Sequence, residues 1–326
     1  MTRFKDFVPQ GVIPAGLLAF DADFAIDAVE TRRHLSCLAA TRGVSAITVN
    51  GHASEVHACS FDEQARLMDI AGDEIGDRMP LISGVYADGS HTAAKLARMA
   101  QDRGASALLV FPPHSLGMGG VQCRPEMALA HVARIAEASD LPLVLFQYSG
   151  ELAYRLETTV RICEEMPSVA AIKDWSDPKR HEQNIRTLHG LSRPVKVLST
   201  NSSWLLGSLV VGVDGILSGA GSVIADLQVA LFKAVQAKDL ARAQALAERV
   251  WHTTEVFYRD PFGDMHNRMK EALVLLKRQN RAVVRPPLVK LTEAEITRIG
   301  AGLQAAGIGH DGAAGLEHAQ RMEAAE

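Results

Sequence analysis

Short apolar runs recur along the chain, each followed by a segment whose apolar positions repeat with helical spacing. They occupy residues 11–20, 44–50, 80–86, 105–111, 141–148, 169–175, 195–200 and 212–218. Inside each run the apolar residues are nearly continuous rather than alternating, as strands buried on both faces of a parallel sheet require. Eight such units with helices between them predict an α/β protein, a (β/α)8 TIM barrel.

The segments between the runs carry helix signals. Ser60-Phe-Asp-Glu63 is a capping box, in which hydroxyl and carboxylate each satisfy a free amide at a helix start. Residues 91–103 place Ala93, Leu96, Ala97, Met99 and Ala100 on one face and end at Gly104, a left-handed C-cap. Residues 125–138 and 158–166 have similar spacing. After the eighth run only helical periodicity is left: Leu227, Leu231 and Val235, then Leu240, Ala243, Leu246 and Val250, then a segment over 265–277. Thr292-Glu-Ala-Glu295 opens a last helix with a second capping box. The chain therefore divides into barrel strands and helices over 8–222, the last barrel helix with an all-helical C-terminal extension over 223–305, and a flexible tail rich in Ala, Gly and Glu over 306–326.

Composition narrows the function classes. With 47% hydrophobic and 22% charged residues among 326, there is ample material for a core. A net charge of -4 gives no reason to expect nucleic acid or an anionic membrane as partner. No run approaches the roughly 18 apolar residues that cross a bilayer, and the first residues lack a signal-peptide core. A cytoplasmic location is the expectation. Cys37, Cys59, Cys123 and Cys163 lie far apart without a Cys-x-x-Cys pair, which speaks against a zinc cluster or a disulfide scaffold. His52, His57 and Cys59 are close together, but no carboxylate completes a ligand set, so neither metal nor cofactor is expected.

The chemistry centres on Lys173, in Val169-Ala-Ala-Ile-Lys-Asp-Trp175. An ammonium at the end of an apolar strand is desolvated, which favours the neutral amine that attacks ketones. Most lysines after short apolar runs are surface cations, so the position in the barrel has to decide. Lys173 ends the sixth of eight units, on the face where barrels of this kind carry their active sites.

Several segments then match a known pattern: Gly11-Val-Ile-Pro-Ala15, Gly51-His-Ala-Ser-Glu55, Ile172-Lys173-Asp174, Gly212-Val-Asp-Gly-Ile-Leu-Ser218 and Pro286-Pro-Leu288. Over roughly residues 8 to 305 the arrangement resembles the dihydrodipicolinate synthase and N-acetylneuraminate lyase superfamily, the class I pyruvate-type aldolases. The resemblance implies that Lys173 forms a Schiff base with a 2-oxo acid, with no cofactor. Carbon-carbon cleavage or condensation, with an aldehyde as the other partner, is the leading expectation. The alternatives are dehydration of a 2-oxo-3-deoxy sugar acid and a non-catalytic 2-oxo-acid-binding barrel. The resemblance also implies a homotetramer built as a dimer of dimers.

The chain departs from the superfamily pattern where that pattern binds carboxylate and moves protons. Gly-Thr-Thr-Gly-Glu becomes Gly51-His52-Ala53-Ser54-Glu55, so substrate binding is expected from Gly51, His52, Ala53 and Ser54, using backbone amides, the Ser54 hydroxyl or a protonated His52. Glu55 is expected to orient this loop by accepting amides at a helix start. The strand-five tyrosine aligns with Phe146, which cannot transfer a proton and is expected to line the pocket. Tyr148, two residues on and on the same strand face, becomes the candidate acid/base. His114 aligns with a second tyrosine, often contributed across a dimer interface, and is the other candidate proton carrier. Ser218, opening Ser218-Gly-Ala-Gly-Ser222, is expected near the oxo acid, with its glycines giving close backbone access. Asn50 and Asn201 are candidate hydroxyl binders, and Phe146 and Trp175 candidate packing partners for the aldehyde portion.

Overall fold

A computed structural model of the chain describes residues 4–309. At its centre stand eight parallel strands: β1 (Gly11–Pro14), β2 (Ile47–Val49), β3 (Leu81–Val85), β4 (Ala107–Val110), β5 (Leu143–Gln147), β6 (Val169–Asp174), β7 (Lys196–Ser199) and β8 (Gly215–Ser218). Each apolar run supplies one strand. Neighbours follow chain order from β2 to β8, and β8 pairs with β1. Between β1 and β2 the ring closes through single bridges, Val12 with Val44 and Ala15 with Thr48, and Gly16 N donates to Thr48 O at 2.8 Å. The fold is a TIM barrel.

Alternation along each strand separates two apolar layers. Ile13, Ile82, Leu109, Val144, Leu198 and Leu217 fill the barrel, while Val12, Val110, Leu145, Ile172, Val197 and Ile216 meet the surrounding helices. Burial on both faces is why the runs carry no polar alternation. Lys173 pairs across the sheet with Phe146 and Leu198, both interior, so its side chain enters the barrel.

Local signals fix the helix starts. At the helix Phe61–Ile75, Glu63 N donates to Ser60 Oγ at 3.2 Å and Ser60 N to Glu63 Oε2 at 2.8 Å, the reciprocal box. Gly104, at φ +84°, follows the helix Ser90–Asp102. At Glu293–Ala305 only half of the expected box forms: Glu295 N donates to Thr292 Oγ1, but the Glu295 carboxylate faces that same hydroxyl rather than the Thr292 amide. Among the described residues no helix is long and apolar enough to cross a membrane.

The expected C-terminal helices are present and also take part in the site. Gly221–Gln236 packs on β1 and β8 and completes the outer layer, but Leu240–Phe257, Met265–Leu275 and Glu293–Ala305 are no mere appendage. The segment joining the first two of these crosses the mouth of the barrel, and Lys270 reaches down to Glu55. The Glu55 carboxylate is bound by Lys270 Nζ and accepts Arg285 N at 3.0 Å. It does orient the strand-two turn as expected, but through partners at the far end of the chain rather than a nearby helix start. Ala306 is buried, and Arg249 donates to the carbonyls of Ala306 and Gly307, so the chain is anchored that far. Beyond Gly309 the expected flexible tail lies outside the described residues.

Candidate active site

The C-terminal ends of the strands open into a cavity of about 370 Å³. Leu109, Phe146 and Lys173 rise into it from β4, β5 and β6, and Thr48 with residues 51–53 forms one wall. Tyr258, Phe262, Met265, His266 and Leu288 cover it from the C-terminal helices and the segments that join them.

Lys173 is 7% exposed, and burial lowers its pKa from the usual 10.5 to about 7. Among the described residues no carboxylate pairs with it. Its Nζ stands 4.0 Å from the centre of the Phe146 ring. That ring favours the cation by ~1 kcal/mol, well short of the desolvation that opposes it. A substantial share of the amine is therefore neutral near neutral pH. Asp174, next in sequence, faces outward and accepts Ser176 N at 2.9 Å and Asn184 Nδ2 at 2.8 Å, with His181 Nδ1 at 2.9 Å. It pins the end of β6 to the helix Pro178–His189 and so holds the lysine in place.

One prediction follows from the lowered pKa. Only the neutral amine attacks a ketone, so the initial rate of adduct formation with pyruvate is expected to rise about tenfold per pH unit below 7 and level off above it. Trapping with cyanoborohydride across pH measures this; a rate still climbing tenfold per unit at about pH 9 would show an ammonium with its ordinary pKa.

The strand-two turn is held between two left-handed residues, Asn50 at φ +55° and Glu55 at φ +51°. The Asn50 carbonyl lies so close to Gly84 that a Cβ there would stand 1.9 Å from the oxygen, so β3 needs glycine at that point. Asn50 Nδ2 donates to Gln64 O at 3.1 Å and Ser83 Oγ at 3.2 Å, and Ser54 Oγ donates to Gly16 O at 2.9 Å. Neither side chain lines the cavity; both hold the turn, contrary to the expectation that they reach substrate. Gly51, His52 and Ala53 do line it, together with Thr48, whose buried Oγ1 has no hydrogen-bond partner among the described residues.

A model of the dihydrodipicolinate synthetase family matches residues 8–306. The chain belongs to that family. A 4-hydroxy-tetrahydrodipicolinate synthase of Sphingopyxis alaskensis is 30% identical over 306 residues, spanning 91% of this chain and 99% of the relative. An uncharacterized DapA-like lyase of Halobacterium salinarum is 28% identical over 255 residues, 77% of this chain and 80% of its own. The solved structure of YagE, a prophage protein of E. coli K12 in complex with pyruvate, superposes with a TM-score of 0.85 at 22% identity, covering 92% of this chain and 99% of that one.

Burial, with Lys173 as the next contributor, holds the His52 pKa well below its usual 6.5. A neutral imidazole cannot act as the anion-binding cation the sequence suggested. Instead His52 Nε2 hydrogen-bonds the Tyr148 hydroxyl. Burial raises the Tyr148 pKa, so the phenol keeps its proton and serves as donor to Nε2 in the tautomer protonated at Nδ1. His114 stays exposed at the rim, its ring 5.8 Å from Tyr148 and 5.1 Å from Tyr86, and it does not line the cavity.

Ser218 is likewise buried off the cavity, its Oγ 3.5 Å from Ser202 Oγ. The neighbouring Gly219 does line the cavity. A Cβ on it would stand 2.8 Å from His266 Nε2, so this glycine makes room for the imidazole. His266 is 8% exposed, has no hydrogen bond among the described residues, and is held neutral by burial, its pKa pushed down to about 3. Sequence reading missed His266, Tyr258, Phe262 and Met265. Each lies in a segment whose local pattern is only helical or turn-like.

Proposed function

We propose that the protein is a class I aldolase acting on a pyruvate-type 2-oxo acid through a Schiff base on Lys173. The observation that carries this is a buried lysine with a pKa of about 7 inside the mouth of the barrel, the one ammonium side chain among the described residues lining the cavity. Family membership and a structural relative described with bound pyruvate support it.

The neutral Lys173 amine adds to the ketone carbon, loss of water leaves an imine, and its nitrogen takes up a proton to become the iminium. The iminium withdraws electrons from the C3–H bond, so a base removes that proton and gives the enamine. The enamine carbon attacks an aldehyde, the former carbonyl oxygen takes up a proton, and water then releases the product from Lys173. Cleavage is the same path reversed. The Tyr148 phenol with His52 behind it is the proton carrier, because its hydroxyl is protonated and its partner nitrogen can accept the proton it receives. The 2-oxo carboxylate is assigned to the wall made by the His52 and Ala53 amides and the unpartnered Thr48 hydroxyl.

Incubation with pyruvate and borohydride tests the reading. A reduced adduct on the protein supports it; no adduct with pyruvate or any larger 2-oxo acid removes it. Tyr148→Phe is expected to lower kcat by about 100-fold while the pyruvate adduct still forms, since imine formation needs the amine and not the phenol. Unchanged turnover in a steady-state assay would take the relay away from Tyr148. Loss of water with no released aldehyde would move the reading to dehydration of a 2-oxo-3-deoxy sugar acid.

A further inference from the structure

Resting on the Schiff-base reading, we infer that the second reactant is a flat, uncharged aldehyde, aromatic or conjugated, held in the aromatic roof of the cavity. The chain has only 3 Trp, 4 Tyr and 10 Phe, yet Phe146, Tyr148, Trp175, Tyr258 and Phe262 all line this one space. Trp175 and Phe262 stack at 4.9 Å and 13°, and Phe262 continues onto Tyr258 at 5.7 Å and 27°. Tyr148 stands edge-on to Trp175 at 6.0 Å. The result is a set of parallel and perpendicular faces matching the geometry in which flat π-systems pack.

Charge excludes the main competitor. A carboxylate-bearing aldehyde needs a second cation, and among the described residues lining the cavity Lys173 is the sole Lys or Arg. It is already committed to the first reactant. The nearby buried cations face elsewhere: Lys270 is bound to Glu55, and Arg268 donates to the carbonyls of Phe257 and Arg259. His52 and His266 are neutral, and the third histidine of the lining, His57, is exposed to solvent. A second carboxylate would lose its hydration without an ion pair in exchange.

A polyol aldehyde fares little better. Asn201 and Ser203 line the cavity, but Ser203 Oγ donates to Asn201 Oδ1 at 2.9 Å and Asn201 Nδ2 to Ser176 O at 3.2 Å. These groups satisfy each other and the backbone. The roof instead offers the neutral His266 imidazole, which has no side-chain hydrogen bond among the described residues, to the aldehyde oxygen. A space of about 370 Å³ is at the small end for ligand sites, with room for a 2-oxo acid and one ring.

The test compares kcat/KM for condensation of pyruvate with benzaldehyde, succinic semialdehyde and glyceraldehyde by the full-length protein. Benzaldehyde is expected to exceed succinic semialdehyde by about 100-fold and to exceed glyceraldehyde as well. Phe262→Ala is expected to raise KM for benzaldehyde about tenfold. Equal or better use of either of the other aldehydes, an unchanged KM in the variant, or a protein that traps pyruvate yet turns over none of the three overturns the inference and leaves the Schiff-base reading standing. Failure to trap pyruvate overturns the reading itself, and the inference with it.

Discussion

Replacing Lys173 by Met is expected to abolish the borohydride-trapped pyruvate adduct and to lower kcat/KM by about 10⁴-fold or more. Methionine has a similar length and no charge, and the site it enters is 7% exposed, so the variant does not bury an ammonium at all. Thermal unfolding should therefore show a protein at least as stable as the parent, which separates lost chemistry from lost fold. Lys173→Arg is expected to be equally inactive, because a guanidinium stays protonated where the amine becomes neutral. Mass spectrometry of the trapped protein and an aldol assay check both variants. An adduct that persists in Lys173→Met would place the nucleophile elsewhere.

The second large effect falls on stability. Glu55→Ala is expected to destabilise the fold by ~3–5 kcal/mol, seen as a midpoint lowered by roughly 4–7 °C. Lys270 is fully buried, and without the Glu55 carboxylate its ammonium keeps only the Val283 carbonyl at 2.7 Å and the face of Phe20, 4.5 Å from the ring centre. An unpaired buried charge costs far more than the pair contributes, so the double variant Glu55→Gln with Lys270→Met should recover most of the loss. Thermal or denaturant unfolding of the single and double variants checks this. If the double variant is as unstable as Glu55→Ala, the effect lies in the left-handed turn at Glu55 and not in the stranded charge.

Glu55 also shows how far local reading reaches. Its role as a loop-orienting carboxylate was legible from its place at a turn, whereas its partners Lys270 and Arg285 were not, because ion pairing across the fold leaves no periodic trace in either segment. The same limit applies to Ser54 and Asn50. As isolated polar residues at a barrel mouth they read as substrate binders, but both side chains anchor the turn to its surroundings, Ser54 to the Gly16 carbonyl after β1 and Asn50 to the following helix and to β3. His52 differs again: its residue type suggested a cation, and only its enclosure beside Lys173 and Tyr148 makes it a neutral partner of the Tyr148 hydroxyl.

What the sequence by itself determined is the barrel, its eight strands and the place of Lys173 on the sixth. Those features rest on short-range physics, the burial of strands on both faces and the capping of helix ends, which writes itself into neighbouring residues. Only the tertiary structure decided which polar groups face the cavity, that the C-terminal helices roof it, and that Gly219 yields space to His266. Those outcomes depend on contacts between segments far apart in the chain, where desolvation and hydrogen bonding are set by whatever packs alongside rather than by the residue itself.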